Sequence, residues 1–140
     1  MFGKILHAND GSERAFHALG LALAIARQNN SDLHMVSVEE IDRILEFSEE
    51  IREEIDTAAR PFDKVLQRAR AMAEQRQVKL HTHVLVGGHA VRDIIELAAE
   101  LKVDLLIIGA KPHSAIYERL VGSRTNRIMQ LAQCPVLVVK

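Results

Sequence analysis

The sequence predicts an α/β fold: a doubly wound, open sheet of five parallel strands with helices on both faces, of Rossmann-like type. Three observations predict it. Short apolar runs alternate with segments whose apolar residues recur at helical spacing, as in βαβ units. The runs at residues 4–8 and 104–109 are apolar almost throughout, as expected of strands covered by helices on both faces. Right-handed crossovers restrict the topology to doubly wound orders, of which we expect 3-2-1-4-5.

The first half of the chain is predicted to contain two strands and two helical segments. Strand one, residues 4–8, ends at the turn Asn9-Asp10-Gly11, and Ser12 stands where a helix N-cap is expected. Helix one follows, with apolar residues at helical spacing up to the break at residues 29–31. Strand two covers residues 33–38. Residues 39–77 are charged and keep helical spacing on both sides of Pro61, so we expect a kinked helix or two helices there.

The second half repeats the alternation. Strand three covers residues 78–86, the pair Gly87-Gly88 turns the chain, and helix three extends to residue 101. Strand four, residues 104–109, leads into a loop that ends at Gly122-Ser123. A short helix follows, and residues 135–139 form strand five.

Length and composition limit the classes of function. The 140 residues fit one domain, which we expect to span residues 1–140. The net charge of −1 argues against nucleic acid or an anionic membrane as a partner. The single cysteine excludes an internal disulfide, and the apolar runs are shorter than a membrane helix requires. The start of the chain lacks the pattern of a signal peptide, so a cytoplasmic protein without a membrane partner is expected.

Two loops are expected to form a binding site. In doubly wound sheets, ligands bind beyond the carboxyl ends of the strands where the winding reverses. If strands one and four flank that point, residues 9–12 and 109–123 line the crevice. Gly109 permits close approach of backbone to a ligand, and Gly122-Ser123 at a helix start offers amides and a hydroxyl to a phosphate. Spacing alone leaves a simpler alternative open: a strand-end glycine and an N-cap serine.

Several motifs occur along the chain in a characteristic order. Gly109, Gly122 and Ser123 match three of the four defined positions in the loop pattern Gly-x2-Gly-x9-Gly-Ser/Thr. The segment Asp-Gly-Ser at residues 10–12 follows strand one, and Cys-Pro-Val-Leu-Val-Val at residues 134–139 forms the tail. With these motifs, the chain resembles the universal stress protein family over its whole length. A single domain of that family is therefore expected.

The resemblance implies a stress-response regulatory module that binds ATP or AMP, with Mg²⁺ held through the phosphates and Asp10. In such a module any turnover would be at most slow ATP hydrolysis or autophosphorylation. The implied contacts are Asp10 to the ribose or the metal-phosphate group, and Val38 to the adenine through its backbone. The implied ribose and phosphate contacts are Gly109, Gly122 and Ser123, with Thr125 a further candidate.

The second glycine of the loop pattern is replaced by Pro112 in this chain. Proline has no amide hydrogen to donate and restricts φ, so one phosphate-binding amide is lost at that position. The family contains branches that bind ATP and branches that do not. An alternative function is therefore a dimeric interaction protein of the same family that holds no nucleotide.

The last predicted strand is expected to mediate dimerisation. Residues 135–139 are apolar and carry little charge, and a strand of this kind at a sheet edge invites pairing with a second chain. The resemblance implies the same arrangement. We therefore expect a homodimer through residues 135–139, with protein partners that the sequence does not name.

Four histidines lie on predicted strands: His7, His34, His81 and His83. His81 and His83 are two residues apart on strand three, so they share a face and could bind a metal. No third ligand is near them in sequence, and an exposed pair on an edge strand is the alternative. His7 on strand one and Ser37 on strand two could form a buried polar pair, or His7 could simply be accommodated in the core.

Overall fold

The computed structural model of the chain describes residues 1–40, 62–110 and 123–140. Five parallel strands form one sheet with the order β3-β2-β1-β4-β5, which confirms the predicted topology. The strands are β1 (Lys4–Ala8), β2 (Asp32–Glu40), β3 (Leu80–Gly87), β4 (Leu105–Gly109) and β5 (Val136–Val139). The described helices are α1 (Glu13–Asn29), α2 (Phe62–Gln75), α3 (Ala90–Leu101) and α4 (Ser123–Leu131).

Two strand boundaries differ from the prediction by two residues: β3 begins at Leu80 instead of residue 78, and β2 ends later than expected. The strand continues two residues beyond Val38, because Glu39 and Glu40 pair with Val86 and Gly87 of β3. Of the predicted helical stretch at residues 39–77, residues 41–61, including Pro61, lie outside the described part of the chain. The remaining part forms α2.

Two apolar cores enclose the sheet, one on each face. Ile5 of β1 packs into the core that contains α1 and α2, whereas its neighbour Leu6 packs into the core that contains α3 and α4. Both residues are fully buried, as are Leu106 and Ile107 of β4. This two-sided burial explains why β1 and β4 are almost continuously apolar in sequence.

The buried His7 does not pair with Ser37. The His7 Nδ1–H donates to the carbonyl oxygen of Ile107 at 3.1 Å, and the Ser37 hydroxyl donates to the carbonyl oxygen of Asn9 at 2.7 Å. Burial is the main cause that lowers the pKa of His7 from 6.5 to about 4. His7 is therefore a neutral core residue at neutral pH.

Side chains just before α1 and β4 accept hydrogen bonds from backbone amides and so hold these connections in place. The Ser12 hydroxyl accepts a hydrogen bond from the Ala15 amide at 3.1 Å, which confirms Ser12 as the N-cap of α1. The Asp104 carboxylate, before β4, accepts from the Gly3 and Lys4 amides at 2.9 and 3.1 Å. Within the described ranges, every helix falls short of the length and apolarity needed to cross a membrane.

Candidate functional site

A cavity of about 550 Å³ opens beyond the carboxyl ends of β1, β2 and β4. It lies where the winding reverses, with α1 packed on one face of the sheet and α3 and α4 on the other. Its volume is within the range of small-molecule sites. The lining residues are Ala8, Asn9, Asp10, Ser12, Arg14, Ala15, Val36, Val38, Ala90, Val91, Ile94, Ile108, Gly109, Arg124, Thr125 and Ile128.

The turn after β1 is held by its own side chains. The Asn9 Oδ1 accepts from the Gly11 amide at 2.8 Å, and the Asp10 Oδ1 accepts from the Ser12 amide at 3.0 Å. Gly11 has a φ of +85°, which favours glycine. The hydroxyl of Ser37, on the neighbouring strand β2, donates a hydrogen bond to the Asn9 carbonyl oxygen. The turn therefore presents its polar groups to the cavity in a defined geometry.

Asn9 carries a buried amide nitrogen beside the cavity. The residue is 2% exposed and lines the cavity, and its Nδ2 has no hydrogen-bond partner among the residues that the structure describes. A buried donor without an acceptor is costly, so such groups are commonly satisfied by water or ligand. The sequence analysis treated Asn9 only as part of a turn.

Gly109 lies where β4 meets the first turn of α1. A Cβ atom at this position would be 2.9 Å from the Arg14 carbonyl oxygen and 3.3 Å from the Ala15 amide nitrogen. Glycine therefore allows α1 to cross the end of β4 in backbone contact, which brings the start of α1 to the cavity. This role is separate from any contact that Gly109 makes with a ligand.

Several groups that carry positive charge lie around the cavity. The N-terminal ends of α1, α3 and α4 contribute lining residues, and helix N-termini carry partial positive charge. Arg14 and Arg124 also line the cavity. The Glu40 Oε1 accepts from the Ala90 amide at 3.1 Å and lies 3.1 Å from the Arg124 Nη2, so one carboxylate joins β2, α3 and α4.

Part of the lining, here called the apolar wall, consists of apolar residues. Side chains of β2, β4, α3 and α4 line it and belong to, or pack against, the core between the sheet and those two helices. An apolar wall next to a rim of donors suits an amphiphilic ligand that has a flat hydrophobic ring and an anionic group. The members of this wall are Val36, Val38, Val91, Ile94, Ile108 and Ile128.

The structure brings four of the predicted site residues to the same cavity: Asp10, Val38, Gly109 and Thr125. Ser123 is the first residue of α4, at the same end of the sheet. Pro112 and Gly122 lie outside the described residues. The sequence analysis did not predict Arg14 and Arg124 as site residues. Each lies within two residues of a predicted helix start, so the sequence could have identified both.

A family model described as the universal stress protein family matches residues 1–140. The chain belongs to this family. A universal stress protein of Methanocaldococcus jannaschii is 30% identical over all of this chain and 83% of its own length. A universal stress protein A homologue of Coxiella burnetii is 33% identical, over 96% of this chain and 94% of its own.

Solved structures of the family share the fold. The universal stress protein UspA from Lactobacillus plantarum superposes with a TM-score of 0.78 at 26% identity, covering 99% of this chain and 98% of its own. A universal stress protein in complex with cAMP gives 0.76 at 24% identity, covering 99% and 97%. A third, from Archaeoglobus fulgidus in complex with dAMP, gives 0.66 at 20% identity, covering 100% and 98%.

Proposed function

We propose that the chain binds an adenine nucleotide, ATP or AMP, in this crevice and acts as a stress-response regulatory module. One observation carries the proposal: the first turns of three helices, two arginines and six apolar residues line a single cavity. The charges suit a phosphate and the wall suits a purine. The family members solved with cAMP and with dAMP support the ligand class.

In the proposed complex the base lies against the apolar wall. Val38 is near the end of β2, where its backbone can meet the edge of the adenine, as the family resemblance implies. Thr125 and Ser123, in the first turn of α4, and Gly109 contact the ribose and phosphates.

Mg²⁺ is proposed to accompany ATP. The Asp10 carboxylate lines the cavity, and carboxylate together with phosphate oxygens is a ligand set that Mg²⁺ prefers. The Asp10 Oδ1 already accepts the Ser12 amide, which orients the carboxylate. A Mg²⁺ ion there would neutralise the charge between Asp10 and the phosphates.

Calorimetry of the purified chain with ATP, ADP and AMP, with and without Mg²⁺, tests the proposal. We expect saturable micromolar binding of at least one nucleotide. Arg124→Gln should weaken that binding roughly 5- to 10-fold through loss of a charged contact. Arg127→Gln is the matched control: it removes the same charge from an exposed position on α4 that does not line the cavity. No heat at millimolar nucleotide, from chain shown to be folded by circular dichroism, would refute nucleotide binding.

A second candidate function rests on Pro112 and on β5. Pro112 removes one amide from the family's phosphate loop. β5 is an edge strand of the sheet, and its residues Val136, Leu137 and Val138 are only half-buried. In this alternative the chain is a homodimer through β5 that docks other proteins without nucleotide. The same calorimetric experiment separates the two functions.

A further inference from the structure

We propose that Asp32, His34 and His81 form a binding site for a divalent transition metal such as Zn²⁺, separate from the crevice. The His81 Nε2 lies 2.9 Å from the Asp32 Oδ1, and the His34 Nε2 lies 3.2 Å from the Asp32 Oδ2. One ligand atom from each of the three residues can be chosen so that all lie within 4.8 Å of one another. Two imidazoles and a carboxylate are a donor set typical of zinc.

Pairing of β2 with β3 creates this cluster. His34 is in register with His81, and Val36 with His83. Because side chains alternate between the faces of a strand, Asp32 and His34 share a face with both histidines of β3. The third ligand that is missing near His81 and His83 in sequence is thus supplied by the neighbouring strand.

His83 completes the cluster as the outer partner of His34. The His34 Nδ1 and the His83 Nε2 are 2.9 Å apart. A metal-binding histidine usually has its second ring nitrogen held by a hydrogen bond, which fixes the tautomer and the ring plane. With metal on the His34 Nε2, the Nδ1–H donates to His83. The His34 ring also stacks on His81 and His83, with ring centroids 4.6 and 5.2 Å apart.

The burial of the three ligands suits a site with one open position. The His34 side chain is 10% exposed, whereas those of Asp32 and His81 are 44% and 37% exposed. Three protein ligands, one of them buried, leave room for a water molecule or an external group on the solvent side. The nitrogen ligands favour Zn²⁺, Cu²⁺ or Ni²⁺ over Mg²⁺ and Ca²⁺, which prefer oxygen.

The site shares no residue with the lining of the nucleotide crevice, so the two proposals can be tested independently. Asp32 and His34 are at the start of β2, and Val36, which lines the crevice, is two residues beyond His34. At about 3.3 Å per residue the separation along the strand is roughly 7 Å. Because no residue is shared, loss of Zn²⁺ binding in His81→Gln does not by itself test nucleotide binding, and the converse also holds.

Calorimetric titration of EDTA-treated, dialysed chain with Zn²⁺ tests the site. We expect one Zn²⁺ per chain with micromolar or tighter affinity, and a rise in Tm at saturation. His81→Gln should weaken binding at least ~10-fold, and removing the outer partner by His83→Gln should weaken it measurably. His17→Gln, at an exposed position on α1, is the matched control and should bind as the parent chain does.

Two results would overturn the site. One is a His81→Gln variant that is folded by circular dichroism and binds Zn²⁺ as tightly as the parent. The other is half a zinc per chain together with a doubling of the mass in light scattering, which would place the metal between two copies. His81 is half-exposed, so its substitution tests the site even where a change at the buried His34 prevents folding.

Discussion

Gly109 and Arg14 are in backbone contact: a Cβ at Gly109 would be 2.9 Å from the Arg14 carbonyl oxygen. This contact joins the end of β4 to the first turn of α1, and both line the crevice. It gives a structural reason for glycine at this position that does not depend on a ligand.

Gly109→Ala should therefore destabilise the fold by about 1–3 kcal/mol, because the added methyl group meets backbone that can move only with α1. Urea unfolding measures the change. Gly3→Ala is the matched control, since a Cβ there would have its nearest neighbour, an Asp104 oxygen, at an ordinary 3.8 Å. Equal losses in the two variants would argue against the contact.

Ser37→Ala should cost about 1–3 kcal/mol of unfolding free energy, because it leaves the buried Asn9 carbonyl oxygen without the hydroxyl that donates to it. Thr82→Val is the control, as the Thr82 hydroxyl accepts only from the exposed Arg70 side chain among the described contacts. If the two variants unfold at the same urea concentration, the Ser37 bond does not hold the turn.

The stability of the chain should fall as the pH is lowered from about 6.5 to 4, with a contribution from His7. Its folded pKa of about 4 lies below the unfolded value of 6.5, so protons bind first to the unfolded state. Above pH 6.5 both states are neutral and His7 has no effect. Below about pH 4 the loss of unfolding free energy caused by His7 reaches its maximum, of the order of 3 kcal/mol.

Unfolding curves for the parent and His7→Asn between pH 7 and about 4 measure this contribution. Asparagine keeps a donor for the Ile107 carbonyl but does not titrate. The variant should lose stability less steeply over this range. A parent and a variant with the same slope would assign the acid sensitivity to other groups.

The proposed β5 dimer should be sensitive to Val138→Pro. The Pro135 carbonyl accepts from Leu106 of β4, and the Val139 carbonyl accepts from Ala110, the residue after β4. The alternation of the strand therefore directs the Val138 amide away from β4. Proline at residue 138 removes an amide that only a partner strand could use as a donor. Edge strands tolerate proline at such positions. Light scattering at micromolar concentration should show a dimer for the parent and a monomer for the variant. A monomeric parent would refute the dimer.

The sequence predicted those features of the fold that depend on local patterns. Apolar runs identified all five strands, and Ser12 identified the start of α1. Burial and capping both produce sequence patterns within a few consecutive residues. The Asp-Gly-Ser turn and Gly109 located the crevice. Four predicted site residues, Asp10, Val38, Gly109 and Thr125, line one cavity for that reason.

Features that depend on the register and side-chain contacts between strands were not predicted. The extension of β2 over Glu39 and Glu40 comes from hydrogen bonding with β3, although both residues belong to the charged stretch predicted as helical. The partners of His81 lie on another strand, and their contact depends on a register that spacing within one strand does not contain. The role of Asn9 required knowledge of which polar atoms remain unsatisfied after folding.

Glu40 serves two groups with one oxygen, the Ala90 amide and the Arg124 guanidinium. An incoming anion that recruits Arg124 must draw it from Glu40, so this carboxylate is an internal competitor for the ligand. The free energy needed to separate the Glu40–Arg124 ion pair therefore offsets part of the attraction between the ligand and Arg124. Replacing Glu40 with glutamine would remove that competition, and the crevice would then hold anions more tightly than the parent chain does.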